Sequence, residues 1–245
     1  MALVPQLLGW RYTRLDPELR KAFEVALHAA AAAGMAVAAR DRYLPPAGAL
    51  RHEAGRLALT SAPAALAGLA LRRPIERRLG SARSVAIAQI AAVASLWLAD
   101  RGPTVRRGPD ATARDALLVG LAQTLALAPG VSRAGATLTA ARLLGFDRPS
   151  SAAISHRAAL PVIAGAAALE AVALLRGGLP RTLVAPFAAG AGAALASTFL
   201  SAPLVRAFDR AGSYAPVAAY RAALGTLALT RLRRRSPSHP LEWHS

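Results

Sequence analysis

The chain has 245 residues, 54% of them hydrophobic, and a formal net charge of +17, with a mean hydropathy of +0.35. The length favours a single domain, and the apolar composition favours a membrane protein over a water-soluble globular protein. The charge does not indicate nucleic-acid binding, because the arginines cluster in the gaps between apolar blocks, as in multi-span proteins that contact anionic headgroups. The absence of cysteine excludes disulfides and thiolate metal sites.

Apolar blocks follow one another along the chain, and a transmembrane helix needs about 20 mostly apolar residues. All the blocks are rich in alanine and glycine, which predicts helices that pack closely, and no segment sustains the alternation of a strand. The sequence therefore predicts an all-α polytopic integral membrane protein. Its candidate helices are 22–39, 57–71 (short and interrupted by Pro63), 84–99, 158–175, 182–205 and 211–230.

A polar break separates two apolar segments that are each too short to span a membrane. Residues 116–128 precede the break and residues 134–146 follow it, and Pro129 and Gly130 end the first helix. Residues 117–131 carry no charge, so this segment lacks the polar face that a surface helix needs. We therefore predict a re-entrant hairpin, which is tolerated at membrane depth only where protein or water surrounds it. Two amphipathic surface helices are the alternative.

Ser132 and Arg133 lie where the second helix of this hairpin begins. The first N–H groups of a helix lack intrahelical acceptors and attract anions, and a guanidinium and a hydroxyl add further donors. The sequence therefore predicts a phosphate pocket with Arg133 and Ser132 as catalytic residues and Gly130, Gly135 and Thr137 as substrate-binding residues. The alternatives are a plain N-cap for Ser132 and a helix cap or headgroup contact for Arg133.

Glu24 and His28 are four residues apart on the first predicted helix, so their side chains share one face. Ionisable groups inside a membrane helix are candidates for function. We therefore predict Glu24 as a catalytic residue and His28 as a substrate-binding residue. The alternative is that Glu24 only stabilises the start of its helix.

A short pattern occurs twice, as Gln6-Leu-Leu-Gly-Trp10 and Arg142-Leu-Leu-Gly-Phe146, and each copy is followed by a polar linker and an apolar helix. This order predicts a duplicated protein with one site at the interface of its repeats. We expect one membrane domain over residues 1–230, with a first repeat over about 1–100, a second over about 114–230 and a basic polar tail over 231–245. The first counterpart of the Pro-Gly break would lie before Met1, so we expect the chain to be truncated at its start.

The segment Pro129-Gly-Val-Ser-Arg-Ala-Gly-Ala-Thr137 resembles the Pro-Gly-x-Ser-Arg-Ser-Gly-Ala-Thr motif of the undecaprenyl-diphosphate phosphatase family, the bacitracin-resistance proteins. The resemblance runs from about residue 3 to residue 230. It implies a bacterial cell-membrane hydrolase with inverted repeats, which removes the terminal phosphate of the C55 isoprenoid diphosphate and regenerates the monophosphate carrier for peptidoglycan synthesis. Further matches are Phe23-Glu-Val-Ala-Leu-His28, Arg142-Leu-Leu-Gly-Phe146, Ala158-Ala-Leu-Pro161 and Ala215-Pro-Val-Ala-Ala-Tyr-Arg221.

The resemblance also implies a divalent cation, Mg²⁺ or Ca²⁺, which relatives hold with a glutamate-rich N-terminal motif. That motif is missing here, and Ala134 and Ala153 stand where relatives often carry serine and glutamate. These departures support a second hypothesis, a non-catalytic polyprenyl-phosphate carrier or flippase, or a degenerate paralogue. The expected partners are the polyprenyl diphosphate lipid and membrane lipids, with no nucleic acid. The sequence leaves the oligomeric state open, a homodimer included.

Overall fold

The structure, a computed structural model, describes residues 16–38, 50–177, 180–209 and 212–234. In these ranges the chain is almost entirely helical and contains no strand, so the all-α prediction is confirmed. The helices are α1 (Pro17–Ala38), α2 (Leu50–Leu79), α3 (Ala82–Ala99), α4 (Ala113–Thr124), α5 (Arg133–Leu143), α6 (Arg148–Gly177), α7 (Arg181–Asp209) and α8 (Ala215–Arg234), with 3-10 turns at Gly108–Asp110 and Leu125–Leu127.

Four of these helices are long and apolar enough to cross a membrane. In each of the candidate spans of α2 and α7, only 11% is buried inside the protein. Leu69 and Leu200, one on each helix, are 77% and 83% exposed. Leucines exposed to this extent suit contact with lipid chains, so the chain is a polytopic membrane protein. The spans are Glu53–Leu71, Ala82–Ala99, Arg148–Leu169 and Arg181–Ala207.

Several helix boundaries differ from those that the sequence predicts. Helix α6, for example, begins at Arg148 and not at residue 158. The block at 57–71 is not short and interrupted: it is part of the 30-residue helix α2, which continues through Pro63 and Pro74. A proline removes one backbone hydrogen bond, and neighbouring groups make up for this loss inside a membrane. Helix α8 ends at Arg234, so the first arginines of the expected tail are helical. The rest of that tail and the first Leu-Leu-Gly pattern lie outside the described residues.

The long helices pack in pairs around α4 and α5. Helices α3 and α8 are antiparallel, because Tyr214 lies beside Asp100 at one end and Gly225 lies against the backbone of Ala86 nearer the other. Helix α1 packs against α6 and α7, and α2 packs against α4 and α6. If α1, α2 and α3 correspond to α6, α7 and α8, then the contact of α1 with α7 corresponds to the contact of α6 with α2. Both contacts are present. The repeat and its boundaries stay a prediction.

Helices α4 and α5 form a hairpin of the kind that the sequence predicts. They have 12 and 11 residues, or about 18 and 17 Å at 1.5 Å per residue, against a membrane core of about 30 Å. A parallel bridge joins Arg106, before α4, to Phe146, after α5. Both ends of the hairpin therefore lie at one level, which we call the hairpin base, and residues 125–132 form the hairpin tip.

Candidate anion-binding site

An ion pair fixes the hairpin base. The Arg106 guanidinium donates to both carboxylate oxygens of Asp115, over 3.0 and 2.6 Å. The Asp115 carboxylate also accepts the backbone N–H and the hydroxyl of Thr112, each over 2.8 Å. The Arg106 side chain, with help from Thr112, holds the pKa of Asp115 down to about 2. The orientation of α4 is thus set by a charged contact to the segment that precedes it.

A tight turn forms the hairpin tip. The Val131 N–H donates to the Ala128 carbonyl over 3.1 Å, with Pro129 and Gly130 at the two central positions. This is the residue pattern of a type II turn, whose third position needs a positive φ, and Gly130 has φ +99°. A Cβ at Gly130 would lie 2.2 Å from the Val85 carbonyl oxygen. Glycine is therefore required twice, by its backbone angle and by the closeness of α3.

Ser132 is the N-cap residue of α5. Its backbone is extended, and its hydroxyl accepts the Gly135 N–H over 3.3 Å. The backbone N–H groups of Arg133 and Ala134 belong to the first turn, where a helix offers no intrahelical acceptor. This end of α5 thus combines a hydroxyl with amide donors, which favours an anion.

Arg133 and Thr137 face α6, one helical turn apart on α5. The Arg133 guanidinium donates to the main-chain carbonyl of Ser155 over 3.3 Å. Thr137 is fully buried, and its hydroxyl lies 2.6 Å from the Ser155 hydroxyl. These contacts join the hairpin to the helix that follows it. A cavity of about 210 Å³ lies beside Ser132, and neither of these two side chains is among the described residues that line it.

Arg221 of α8 contacts the hairpin tip from the opposite side. Its guanidinium donates to the Gly130 carbonyl over 3.2 Å, and its own main-chain carbonyl accepts the Gln89 side chain of α3 over 2.7 Å. Ionisable residues inside membrane helices pair with one another or with backbone carbonyls, and Arg221 pairs with a carbonyl. Helices α3 and α8 therefore both contact the hairpin tip and stabilise its position.

The cavity beside Ser132 lies between the start of α5 and the helices α3, α6 and α8. Most of its wall is apolar, and its polar side chains are Ser132, Ser155, His156, Tyr214 and Arg221. The apolar remainder of the wall includes Ala92, Val93, Leu96, Leu138, Val217 and Ala218. The cavity thus combines cationic and hydrogen-bonding groups with a mainly apolar wall.

The predicted site residues are only partly brought together. Ser132 and Gly135 line the cavity, and Gly130 shapes the turn beside it. Glu24 and His28 lie on α1, which packs against α6 and α7, and neither lines the cavity in the described structure. His28 instead contacts the Glu24 main-chain carbonyl through Nδ1, over 2.6 Å. The site roles of Glu24 and His28 stay predictions.

Four polar residues that reasoning from sequence did not rank as site residues line the cavity: Ser155, His156, Tyr214 and Arg221. His156 is adjacent to Arg157, whose guanidinium points away and donates to Glu53 of α2 over 3.2 Å. Neighbouring residues on a helix point about 100° apart, which agrees with His156 facing the cavity and Arg157 facing α2. Ser155 carried no sequence signal, because serine is common in this apolar helix.

The divalent cation that the resemblance implies finds no fitting set of donors in the part of the chain that the structure describes. No group of three or more His, Asp or Glu side chains comes together there. The cavity wall offers hydroxyls, an imidazole and a guanidinium but no carboxylate, whereas Mg²⁺ and Ca²⁺ prefer oxygen ligands, carboxylates above all. We therefore derive no chemical step through a cation.

The fold and the cavity together define a polytopic, all-helical membrane protein with a cationic, hydroxyl-bearing cavity beside a re-entrant hairpin. A model of the bacitracin resistance protein BacA family matches residues 1–227, and the chain belongs to that family. The resemblance found in the sequence is thus confirmed.

Three relatives, all named undecaprenyl-diphosphatase, match nearly the whole chain. The relative from Geobacter sulfurreducens is 37% identical over 246 aligned positions, which cover 95% of this chain and 89% of the relative. The relative from Pelobacter propionicus is 35% identical, with 92% and 86% covered. The relative from Gemmatimonas aurantiaca is 33% identical, with 96% and 90% covered.

Proposed function

We propose that the chain is an undecaprenyl-diphosphatase, a membrane hydrolase that acts on the diphosphate of a polyprenyl lipid. The name of its relatives supports this activity. The structural observation that carries it is the cavity beside Ser132. Its polar groups suit a phosphate, and its apolar wall suits the part of an isoprenoid chain next to that phosphate. Water attacks the terminal phosphorus, the bond from that phosphorus to the bridging oxygen breaks, and inorganic phosphate leaves the lipid monophosphate.

Binding of the terminal phosphate is assigned to the start of α5 and to Arg221. The Ser132 hydroxyl, the first amide N–H groups of α5 and the Arg221 guanidinium are donors on adjoining surfaces. Negative charge spreads over the phosphoryl oxygens during transfer, and fixed donors stabilise that charge. The three groups therefore lower the barrier in addition to binding the substrate.

Proton transfer is assigned to His156. It lines the same cavity, and an imidazole exchanges protons near neutral pH. In this assignment His156 takes a proton from the attacking water. Arg133 is a positioning residue, because its guanidinium holds the carbonyl of Ser155, the residue before His156.

Binding without hydrolysis, the activity of a carrier or flippase, is the competing function. The same cavity would serve it, since a phosphate can be bound by the same donors without attack by water. The divalent cation, the homodimer and binding to membrane lipids in general stay predictions. Turnover therefore decides between the two functions.

The experiment measures inorganic phosphate released from undecaprenyl diphosphate by the purified full chain in detergent, for wild type, Arg221→Gln and Arg206→Gln. Arg206 is a matched control, because its guanidinium also donates to a main-chain carbonyl of another helix, that of Ala38, over 3.3 Å, and it does not line the cavity. We expect Arg221→Gln to lower kcat/KM by about 100-fold or more and Arg206→Gln to change it by less than about threefold.

Two results would contradict the proposal. If wild type binds the lipid diphosphate but releases no phosphate, the chain is a carrier. If Arg221→Gln and Arg206→Gln lower kcat/KM equally, hydrolysis does not take place at this cavity.

A further inference from the structure

A second cavity, of about 510 Å³, opens at the hairpin base, where α3 ends and α6 and α8 begin. Its wall is mainly polar. None of the described residues that line it lines the cavity beside Ser132, although Ser213 and Ala215 of this wall flank Tyr214, which lines the other cavity. The two cavities therefore adjoin along α3 and α8, but the arginines that line the second one do not line the first.

Positive charge exceeds negative charge in the wall of this second cavity. Among the described residues that line it, three are arginines, Arg101, Arg142 and Arg148, and one is a carboxylate, Asp100. Asp100 is already fully engaged: its oxygens accept Arg148 Nε over 2.8 Å and the Tyr214 N–H over 3.2 Å. Because three arginines face one carboxylate, the wall of the cavity carries a net positive charge.

Arg142 is a structural part of the wall. It is only 2% exposed, and its guanidinium donates to the main-chain carbonyls of Asp100, Gly102 and Phe146 and to the Thr104 hydroxyl. Its two terminal nitrogens are used by the protein itself, and its Nε lies 3.3 Å from an oxygen of the Asp100 carboxylate. Arg101 and Arg148 are then the cations available to a ligand.

Arg101 is held in place without a carboxylate. Its guanidinium carbon lies 3.4 Å from the centre of the Trp97 ring, a cation–π contact that leaves the N–H groups at the edge of the guanidinium able to bind an anion. No carboxylate pairs with Arg101 in the described ranges 16–38, 50–177, 180–209 and 212–234. The side chain of Arg148, which also faces this cavity, is 30% exposed.

The second cavity lies at the level of the lipid headgroups. The candidate spans Ala82–Ala99 and Arg148–Leu169 each end beside it. Tryptophan and arginine at the ends of membrane helices are typical of that level, and basic pockets between such helices bind anionic headgroups. The charge and the location of the cavity thus point to the same chemistry.

We propose that this second cavity binds the phosphate group of an anionic membrane phospholipid, with Arg101 and Arg148 as its donors. Free phosphate carries the same group and could enter the same cavity. The site is distinct from the cavity at the hairpin tip, and it does not depend on hydrolysis by this chain.

The test is native mass spectrometry of the full chain, released from detergent after titration with phosphatidylglycerol or with phosphatidylcholine. The variants are Arg101→Gln, Arg101→Lys and, as a control, Arg114→Gln, which removes an exposed arginine of the hairpin base outside the cavity. We expect wild type and Arg114→Gln to retain phosphatidylglycerol in preference to phosphatidylcholine. Arg101→Gln should weaken that binding about tenfold, and Arg101→Lys should restore part of it.

A second arm adds inorganic phosphate as a competitor. Displacement of phosphatidylglycerol supports a site that also takes free phosphate, and no displacement supports one that needs the lipid. Two results would overturn the proposal: equal affinity for phosphatidylglycerol in Arg101→Gln and Arg114→Gln, or no preference for phosphatidylglycerol in wild type. Because the readout is lipid binding without undecaprenyl diphosphate, its failure leaves the proposed hydrolysis untouched.

Discussion

Arg106 and Phe146 are joined by a parallel bridge across the base of the re-entrant hairpin. The Arg106 N–H donates to the Gly145 carbonyl and the Asp147 N–H donates to the Arg106 carbonyl, each over 3.0 Å. The Arg106 guanidinium also lies 4.3 Å from the centre of the Phe146 ring. Because the base is closed in this way, the lengths of α4 and α5 set the depth of the tip. Ser132 is therefore presented by two rigid helices and one tight turn.

Gly130→Ala should damage both folding and activity. The substitution introduces a side chain at φ +99° and places its Cβ 2.2 Å from the Val85 carbonyl oxygen. Positive φ and a backbone clash together cost about 3 kcal/mol or more. We expect a clearly lower Tm in detergent and loss of phosphate release from undecaprenyl diphosphate.

Gly192→Ala is the control for this substitution. Gly192 lies inside α7, and a Cβ there meets nothing within 4 Å. Alanine favours a helix over glycine by about 0.5–1 kcal/mol, so the Tm should not fall. Equal Tm values for the two variants would contradict the structure of the hairpin tip.

Ser132→Ala should lower turnover by more than its loss of stability explains. Loss of an N-cap hydroxyl costs about 1 kcal/mol, which leaves the protein folded at assay temperature. Loss of a phosphate donor should lower kcat/KM by about tenfold or more. The matched control is Ser95→Ala, since the Ser95 hydroxyl donates to its own helix at Ala91 over 2.9 Å and lies outside the cavity.

The measurements for this pair are Tm and kcat/KM on the same preparations. Ser95→Ala should leave kcat/KM within about threefold of wild type. If Ser132→Ala lowers only the Tm and leaves kcat/KM unchanged, Ser132 is a helix cap and no more.

The hairpin could be predicted from sequence because its signals are local. A proline followed by glycine fits a type II turn, and serine fits the N-cap that follows it. These residues act on their immediate neighbours in the chain, so no knowledge of the packing is needed. The turn at Ala128–Val131 and the N-cap at Ser132 are the result.

The composition of the cavity could not be predicted in the same way. Arg221 and His156 reach the hairpin only because α8 and α6 pack beside it, and that packing depends on contacts between residues far apart in sequence. The orientation of Arg133 also depends on these contacts. Ser132, Gly135 and Leu138, three residues apart, form the face of α5 that lines the cavity, and Arg133 lies on the face toward α6.

The Arg106–Asp115 pair should make stability depend on pH in the acid range. The pKa of Asp115 is about 2 in the folded protein, against an ordinary value of 3.8 for an aspartate. A lowered pKa means that the stabilisation is present above about pH 4 and is lost as the pH falls toward 2. We expect Asp115→Asn to lower the Tm at pH 7, and the difference from wild type to shrink between pH 4 and pH 2.

Thermal unfolding in detergent over this pH range measures the effect. Asp110→Asn is the control, because its carboxylate lies at the same base and is exposed, accepting the Arg107 N–H over 2.7 Å. It should lower the Tm less than Asp115→Asn at pH 7. A difference between Asp115→Asn and wild type that stays constant from pH 7 to pH 2 would show that the pair carries no such charge effect.

Arg133→Ala should strongly lower phosphate release from undecaprenyl diphosphate. The physical reason proposed here is the loss of its bond to the Ser155 carbonyl, which holds the segment containing His156 at the cavity wall. Displacement of His156 moves its imidazole away from the attacking water, whose proton it takes in the proposed reaction. We therefore expect kcat/KM to fall by about 100-fold or more and the pH profile of the residual activity to shift.

Arg157→Gln separates this role from a general loss of packing. Arg157 adjoins His156 on α6 but pairs with Glu53 of α2 over 3.2 Å, so its removal should lower the Tm and leave the pH profile of kcat/KM unchanged. Arg133→Lys keeps the charge but not the planar guanidinium and should recover only part of the activity. Undiminished turnover in Arg133→Ala, or an equal shift of the pH profile in Arg157→Gln, would rule out the positioning role.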